Sequence, residues 1–319
     1  MTSSAPRTIR FASGDSMIAA LHYPGTNRAC IIMAGGTGMT KEPATDPFAP
    51  HFHAAGFTVL AFDFRRLGAS GGSPRQVVKV NDQLSDYRAA IAFAATLPDV
   101  DPTRIAIWGF SLAGGHVLRV AAREPGLAAA IAQAPLADGP AIAPRAMRAM
   151  TPAAALRLHL RAAGDLLGRR LLRRPPVLIP LAGPRGTVAS ITTPDGARGG
   201  QALDPDGRYR EWDQTVAAAS ALRLAFYRPG RTASRIACPL LVVVFDDDQT
   251  VLTAPASTAA QRAPRGELVR LGGDHYAAFE QRHRATLDAE IDFLRRHLLE
   301  RASGADRARH AGADGAPGG

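Results

Sequence analysis

The chain has 319 residues, of which 46% are hydrophobic and 21% charged, a balance typical of globular proteins that excludes wholesale disorder. Its formal net charge of +10 comes almost wholly from arginine, because Lys41 and Lys79 are the only lysines, and the scattered arginines without interleaved aromatic residues disfavour a nucleic-acid partner. No run of about 18 apolar residues is present, so a transmembrane helix is not expected.

The cysteines and the N-terminal stretch indicate the compartment. Cys30 and Cys238 each lie where an apolar strand is predicted to begin, and we interpret them as small buried side chains, not as a disulfide pair. The stretch MTSSAPRTIRFASGD lacks the apolar core of a signal peptide. Both features predict a cytoplasmic protein.

Short apolar runs alternate with helical patterns along most of the chain. Strands are predicted at residues 8–12, 17–23, 29–36, 57–64, 105–110, 127–135, 239–245 and 266–273. Helices are predicted at residues 47–56, 80–97, 111–124 and 279–299. Strands that alternate with helices favour an α/β fold with a mostly parallel, doubly wound sheet.

Residues 139–234 interrupt this alternation and are predicted to form a helical lid inserted between two sheet strands. The core is then made of residues 1–138 and 235–301, and residues 302–319 are predicted to be a disordered tail. A second helix of the lid is predicted within residues 210–227.

The first lid helix carries a stripe of apolar residues. Thr151 and Pro152 are suited to its N-cap and first turn. Apolar side chains then recur at helical spacing, at Leu156, Leu160, Ala163, Leu167 and Leu171, and Arg157 and Arg161 lie away from this stripe. The stripe is expected either to cover a substrate pocket and select the substrate, or to pack on the core.

The stretch RIAIWGFSLAGGHV, residues 104–117, places a lone serine between an apolar strand and a helix. A nucleophile elbow requires small residues two positions before and two positions after the serine. Gly109 and Ala113 occupy these positions, the second being alanine where glycine is usual. The pattern therefore predicts that Ser111 is a nucleophile at the top of the sheet.

A serine nucleophile needs a histidine to take its proton and a carboxylate to orient that histidine. In this type of fold the chain order is serine, acid, histidine, and two later strands end in LLVVVFDDDQTV and LGGDHYAAF. The histidine is predicted to be His275. Of the aspartates at 246–248 we choose Asp248, because it lies furthest past its strand, and Asp138 after an earlier strand is the alternative acid.

An oxyanion hole needs two backbone N–H donors. One is predicted to come from Leu112, which follows the serine. The other is predicted to come from Thr37 in the loop MAGGTGM, whose glycines let the backbone approach a substrate closely.

These motifs resemble the α/β-hydrolase superfamily. The resemblance covers most of residues 8–300 and rests on IIMAGGTG, LAFDFRRLGASGG, DPTRIAIWGFSLAGGHV, CPLLVVVFDDDQTV, GGDHY and ITTPDG. It is strongest to bacterial serine hydrolases described as dienelactone-hydrolase-like or like peptidase families S15 and S33, to which fungal polyketide transferases and thiohydrolases are also similar. The resemblance implies the same nucleophile, histidine and acid as above. The chain departs from the family at Gly35, where a histidine is usual, and at Ala113.

The sequence thus predicts a serine hydrolase that cleaves small-molecule carboxylic esters or thioesters through an acyl-enzyme, with no cofactor and no metal. Two alternatives stay open: an acyltransferase or thioesterase of natural-product tailoring, and a non-catalytic ligand-binding homologue. Haloalkane dehalogenases and epoxide hydrolases are disfavoured, because those relatives have an aspartate at the elbow. His51 and His53 have no neighbouring acid and are interpreted as helix-face residues. The sequence does not define the oligomeric state.

Overall fold

A mostly parallel sheet of eight strands forms the centre of the structure, a computed structural model that describes residues 5–300. In chain order the strands are β1 (Arg7–Ser13), β2 (Ser16–Tyr23), β3 (Cys30–Ala34), β4 (Thr58–Phe62), β5 (Ile105–Phe110), β6 (Ala129–Gln133), β7 (Leu178–Pro180), β8 (Thr215–Ala217), β9 (Leu240–Phe245) and β10 (Gly266–Leu271). The large sheet has the order β1-β2-β4-β3-β5-β6-β9-β10, and β7 and β8 form a separate pair.

Parallel pairing explains why the central strands are almost entirely apolar. Within the large sheet, the neighbours in the order β4-β3-β5-β6-β9-β10 are all parallel. Strand β2 pairs antiparallel with both β1 and β4. A parallel sheet is covered on both faces, so residues that alternate along a strand enter different cores. Ile31 belongs to one hydrophobic cluster and Ile32 to the other. The predicted α/β class is confirmed, and Cys30 and Cys238 are buried free thiols as expected.

Helices cover both faces of this sheet. They are α1 (Lys41–Thr45), α2 (Ala49–Ala54), α3 (Val80–Ala94), α4 (Leu112–Ala121), α5 (Gly139–Ala149), α6 (Pro152–Leu172), α7 (Gly199–Leu203), α8 (Ala218–Leu224), α9 (Thr253–Arg262) and α10 (His283–Arg295). Helices α3, α4 and α9 contribute to one cluster, and α2 and α10 to the other. In the described part of the chain, no helix has both the length and the apolar character to cross a bilayer.

The segment between β6 and β9, residues 139–234, contains more than helices. It holds α5 to α8, and within it β7 pairs antiparallel with β8. The helix predicted within residues 210–227 is shorter than expected, because β8 takes the residues immediately before α8. The predicted tail, residues 302–319, lies outside the described residues.

Helix α6 begins as predicted but faces the opposite way. The Thr151 hydroxyl accepts a hydrogen bond from the Ala154 N–H, as an N-cap does. The stripe predicted to be buried, which includes Leu156, Leu160 and Leu167, is exposed, so both interpretations of that stripe are wrong. Small residues allow α6 to lie close to its neighbours, and the buried face consists of Ala154, Ala155, Leu158, Ala162 and Asp165.

Candidate active site

Ser111 lies in a strained turn between β5 and α4. Its φ of 57° and ψ of −115° are rarely adopted by a residue with a side chain, and its N–H donates to the Gln133 carbonyl at 2.9 Å. Gly109 is required two positions earlier, because a Cβ there would lie 2.5 Å from the backbone of Ala113. Ala113 itself is fully buried, so alanine fits at the second small position of the elbow.

His275 connects Ser111 to Asp248. Its Nε2 lies 3.0 Å from the Ser111 Oγ, and its Nδ1 lies 2.7 Å from Oδ2 of Asp248. All three residues are buried. The structure therefore brings the predicted serine, histidine and acid into one continuous hydrogen-bonded chain.

Asp248 is held by the loop that follows β9. Its Oδ1 accepts hydrogen bonds from the N–H groups of Thr250 and Val251, which leaves Oδ2 directed at His275. The neighbouring carboxylates have other partners: Asp246 pairs with Arg270, and Asp247 accepts from the Gly273 N–H.

The alternative acid, Asp138, lies elsewhere. Its carboxylate caps α5 by accepting from the Ala141 N–H and forms an ion pair with Arg228. Of the four aspartates considered from the sequence, Asp248 is the one in contact with His275.

The electrostatic surroundings favour a proton on His275. Burial lowers the pKa of His275, but the charge and hydrogen bond of Asp248 outweigh that effect and raise the pKa above its ordinary value. The carboxylates of Asp195 and Asp274 raise this pKa further. The imidazolium that forms when a serine hydroxyl is deprotonated is thus stabilised by nearby negative charge.

Asp195 is a buried carboxylate that the sequence reasoning did not place in the site, although it lies in the quoted motif ITTPDG. Its Oδ2 accepts from the N–H groups of Gln249 and Thr250 at 2.7 and 3.1 Å, and its Oδ1 accepts from the Thr250 hydroxyl at 2.9 Å. Burial raises the pKa of Asp195, but these hydrogen bonds and the charge of His275 lower it below its ordinary value overall. An ionised Asp195 thus fixes the loop that holds Asp248.

Two further contacts join residues 139–234 to the site, and no sequence signal marked either of them. The Arg145 guanidinium donates to the backbone carbonyl of Asp248 at 3.0 Å. The Trp212 indole donates to the Gly38 carbonyl at 3.1 Å, next to the loop that contains Thr37.

The loop after β3 lies against the serine. A Cβ at Gly36 would lie 3.1 Å from the Ser111 Cβ, so glycine permits this close approach. Thr37 and Ser111 line the same cavity. Leu112 is the first residue of α4, so its N–H has no acceptor within the helix. The two predicted N–H donors therefore come from segments that meet at Ser111.

An apolar cavity opens beside Ser111. It has a volume of about 150 Å³ and is walled mainly by the inserted segment. Its apolar lining consists of Leu136, Ile142, Ala143, Ala146, Met147, Met150, Leu158, Ile191, Ala221, Leu222, Leu224, Ala225 and Val251. Such a wall suits a hydrocarbon chain or ring better than a charged group.

The histidines singled out in the sequence lie on α2, away from these residues. His51 is exposed and His53 is half-buried. Among residues 5–300, no group of three histidine, cysteine or carboxylate side chains is arranged to hold a metal ion.

The chain matches known proteins over most of its length. The model of the family described as serine aminopeptidase, S33, matches residues 25–271. The quorum-quenching protein AidA of Acinetobacter baumannii is 38% identical over 297 residues, which cover 92% of this chain and 95% of that protein. The polyketide transferase ATR5 of Stachybotrys chlorohalonatus is 31% identical over 71% of this chain and 74% of that protein.

Solved structures show the same fold. The α/β hydrolase GrgF from Penicillium has a TM-score of 0.75 at 23% identity, over 92% of this chain and 99% of that one. A monoacylglycerol lipase from Paleococcus ferrophilus has a TM-score of 0.64 at 19% identity, over 88% of this chain and 99% of that one. With the family match and the 38% identical relative, the chain belongs to the serine aminopeptidase S33 family of α/β hydrolases.

Proposed function

We propose that the protein is a serine hydrolase that cleaves carboxylic esters or thioesters. The observation that carries this proposal is the hydrogen-bonded chain from Ser111 through His275 to Asp248. In the proposed reaction the Ser111 Oγ attacks the substrate carbonyl while Nε2 of His275 takes its proton. His275 then gives that proton to the leaving alcohol or thiol, and an acyl-Ser111 remains. Water, deprotonated by His275, then attacks the acyl carbonyl; the bond to the Ser111 Oγ breaks, the acid leaves, and His275 returns its proton to the Ser111 Oγ.

The negative charge that develops on the carbonyl oxygen requires donors that are already in place. We assign this role to the backbone N–H groups of Thr37 and Leu112, which flank Ser111 from two different segments. Because both proposed donors are backbone N–H groups, glycine at position 35 in place of the family's histidine removes a supporting side chain but neither donor.

We propose that residues 139–234 act as a lid that selects the acyl group. Support comes from the cavity wall, which this segment largely provides, and from the Arg145 and Trp212 contacts to the site loops. An apolar acyl group fits this wall. Relatives are named thiohydrolase and polyketide transferase, and these names are consistent with an acyl substrate.

Acyl transfer is the second candidate, since a polyketide transferase is 31% identical to this chain over 71% of its length. Hydrolysis and transfer share every step up to acyl-Ser111 and differ in whether water or another nucleophile accepts the acyl group. Product analysis in the presence of an added alcohol or amine separates them.

A fluorophosphonate probe tests the nucleophile directly. We expect covalent labelling of the wild type and of Ser85→Ala, a control at an exposed serine on α3, and no labelling of Ser111→Ala. Hydrolysis of p-nitrophenyl esters by Ser111→Ala should fall about 10⁴-fold or more. A folded wild type that is neither labelled nor active on a panel of acyl chain lengths would favour a non-catalytic binding protein.

A further inference from the structure

The outer face of α6 presents leucines to solvent. Leu156, Leu160, Leu167 and Leu171 are 62%, 63%, 61% and 66% exposed. Their spacing of four, seven and four residues places them on one side of the helix, opposite the buried face. The helix therefore has two apolar faces: an inner one rich in alanine that packs on the protein, and an outer one of leucines with no cover.

Exposed apolar side chains are concentrated in this region. Eleven large hydrophobic residues are exposed in residues 5–300, and ten of them lie between Met147 and Phe226. Phe226 itself is 81% exposed. Scattered surface leucines are ordinary, but a continuous stripe is typical of a surface that meets another apolar phase.

The part of the inserted segment that contains α5 and α6 is strongly basic. Residues 139–194 contain nine arginines and one acidic residue, Asp165. Asp165 is buried and paired with Arg169, so it does not offset the charge of the outer face. Arg157, Arg161 and Arg170 lie beside the leucine stripe, and within the described residues no carboxylate forms an ion pair with them.

A basic groove continues this surface beyond the end of α6. It has a volume of about 1150 Å³, and its lining has no carboxylate. Cations reach it from three parts of the chain, including Arg75, Lys79, Arg174 and Arg223.

We propose that the outer face of α6 docks on an anionic phospholipid bilayer. The leucines would enter the boundary between headgroups and acyl chains, and the flanking arginines and the groove would meet lipid phosphates. A helix with leucines on one side and arginines beside them has the composition of an interfacial helix that lies in the membrane plane. Met147, which is exposed and lines the cavity beside Ser111, brings the mouth of that cavity toward the same lipid.

Charge complementarity selects this occupant over a second copy of the chain. If two copies paired through the leucine stripe, Arg157, Arg161 and Arg170 of one copy would face the same arginines of the other. The face offers no exposed acidic residue between residues 139 and 194 to balance them. An anionic bilayer covers the leucines and neutralises the arginines together.

Vesicle cosedimentation of the full chain tests the proposal without relying on turnover. The probes are vesicles of phosphatidylglycerol mixed equally with phosphatidylcholine, and vesicles of phosphatidylcholine alone. We expect binding to the anionic vesicles that weakens as salt is raised, and little binding to the neutral ones. Leu160→Gln with Leu167→Gln should weaken binding at least about tenfold. Arg161→Gln with Arg170→Gln should weaken it about fivefold per arginine.

The controls are Met17→Gln, an exposed apolar residue outside the region, and Arg284→Gln, an exposed arginine on α10. Both should bind vesicles like the wild type, and a circular-dichroism melt of each variant verifies its fold. Absence of binding to anionic vesicles overturns the proposal. Equal loss in the controls also overturns it, as does a dimer in sedimentation velocity that disappears in the leucine variant.

Discussion

Among single residues, Asp195 is expected to position the acid Asp248 without taking part in the proposed reaction itself. It forms no hydrogen bond with His275 or Ser111 and does not line the cavity beside them. It accepts hydrogen bonds from the N–H groups of Gln249 and Thr250, and the Thr250 N–H also donates to Asp248. It also contributes negative charge to the surroundings of His275. Two measurable effects follow from its removal.

We expect Asp195→Asn to lower kcat by up to about 100-fold, because a shift of about 1 Å in a reacting group costs that much. His275 must be neutral to act as a base, so activity is lost as the pH falls through its pKa. Since Asp195 raises the pKa of His275, its loss should move the acid limb of the kcat/KM profile to lower pH. The control is Asp246→Asn, which changes an exposed aspartate at the end of β9 that pairs with Arg270. An unmoved acid limb in Asp195→Asn would contradict the electrostatic part of this argument.

Among the structural elements, the turn between β5 and α4 depends on the absence of a side chain at Gly109. A Cβ at Gly109 would meet the Ala113 carbonyl carbon and oxygen at 2.5 Å and the Tyr87 hydroxyl at 2.8 Å. We expect Gly109→Ala to lower the free energy of unfolding by about 1–3 kcal/mol or more, since overpacking a buried turn forces the backbone to move. Gly126→Ala is the matched control, because nothing lies within 4 Å of its Cβ position. Urea denaturation measures both variants, and equal midpoints would show that the elbow can relax.

Helix α6 allows the two faces of one element to be compared. Leu158 lines the cavity beside Ser111, whereas Leu160 points to solvent. Leu158→Ala should therefore shift the acyl-chain profile toward longer or bulkier groups, by about 1–3 kcal/mol of discrimination. Leu160→Ala should leave that profile unchanged. A p-nitrophenyl ester panel measures both, and a shift caused by Leu160→Ala would mean that the outer face contacts substrate.

The contrast between the sheet and α6 shows what the sequence could predict. Buried parallel strands are apolar on both sides, so the fully buried strands β3, β4, β5, β6 and β9 were recognisable as short apolar runs, and the turn at Ser111 as the glycine-bounded end of one. The orientation of α6 was not recognisable, because the rule that leucines face inward fails when alanines permit closer helix packing. The role of Asp195 was also hidden, since it depends on contacts with residues more than 50 positions away along the chain.

In the molecule as a whole, the sheet brings the residues of the site together, and the helices pack on its two faces. Thr37, Ser111, Asp248 and His275 all follow the carboxyl ends of parallel strands, where open α/β sheets bind ligands. On the face covered by α10, the indole of Trp108 from β5 donates to the carboxyl of Glu290 at 3.1 Å. Glu290 is fully buried, and within the described residues no cation pairs with it.

Burial raises the pKa of Glu290 from 4.5 to about 8, although the Trp108 hydrogen bond lowers it in part. Its stabilising effect is therefore complete below the unfolded pKa of 4.5 and is lost as the pH rises through about 8, because the unfolded chain releases a proton that the folded chain keeps. At about 1.4 kcal/mol per pKa unit, the change across this window amounts to a few kcal/mol.

Glu290→Gln stays neutral and still accepts from Trp108, so it should remove this part of the pH dependence. Wild type should therefore lose stability relative to Glu290→Gln as the pH rises. We expect the free energy of unfolding of Glu290→Gln, minus that of wild type, to increase between about pH 5 and about pH 8 in urea denaturation. Asp288→Asn, an exposed carboxylate on the same helix, should show no such change. Parallel curves for wild type and Glu290→Gln would show that Glu290 is already ionised in the folded protein.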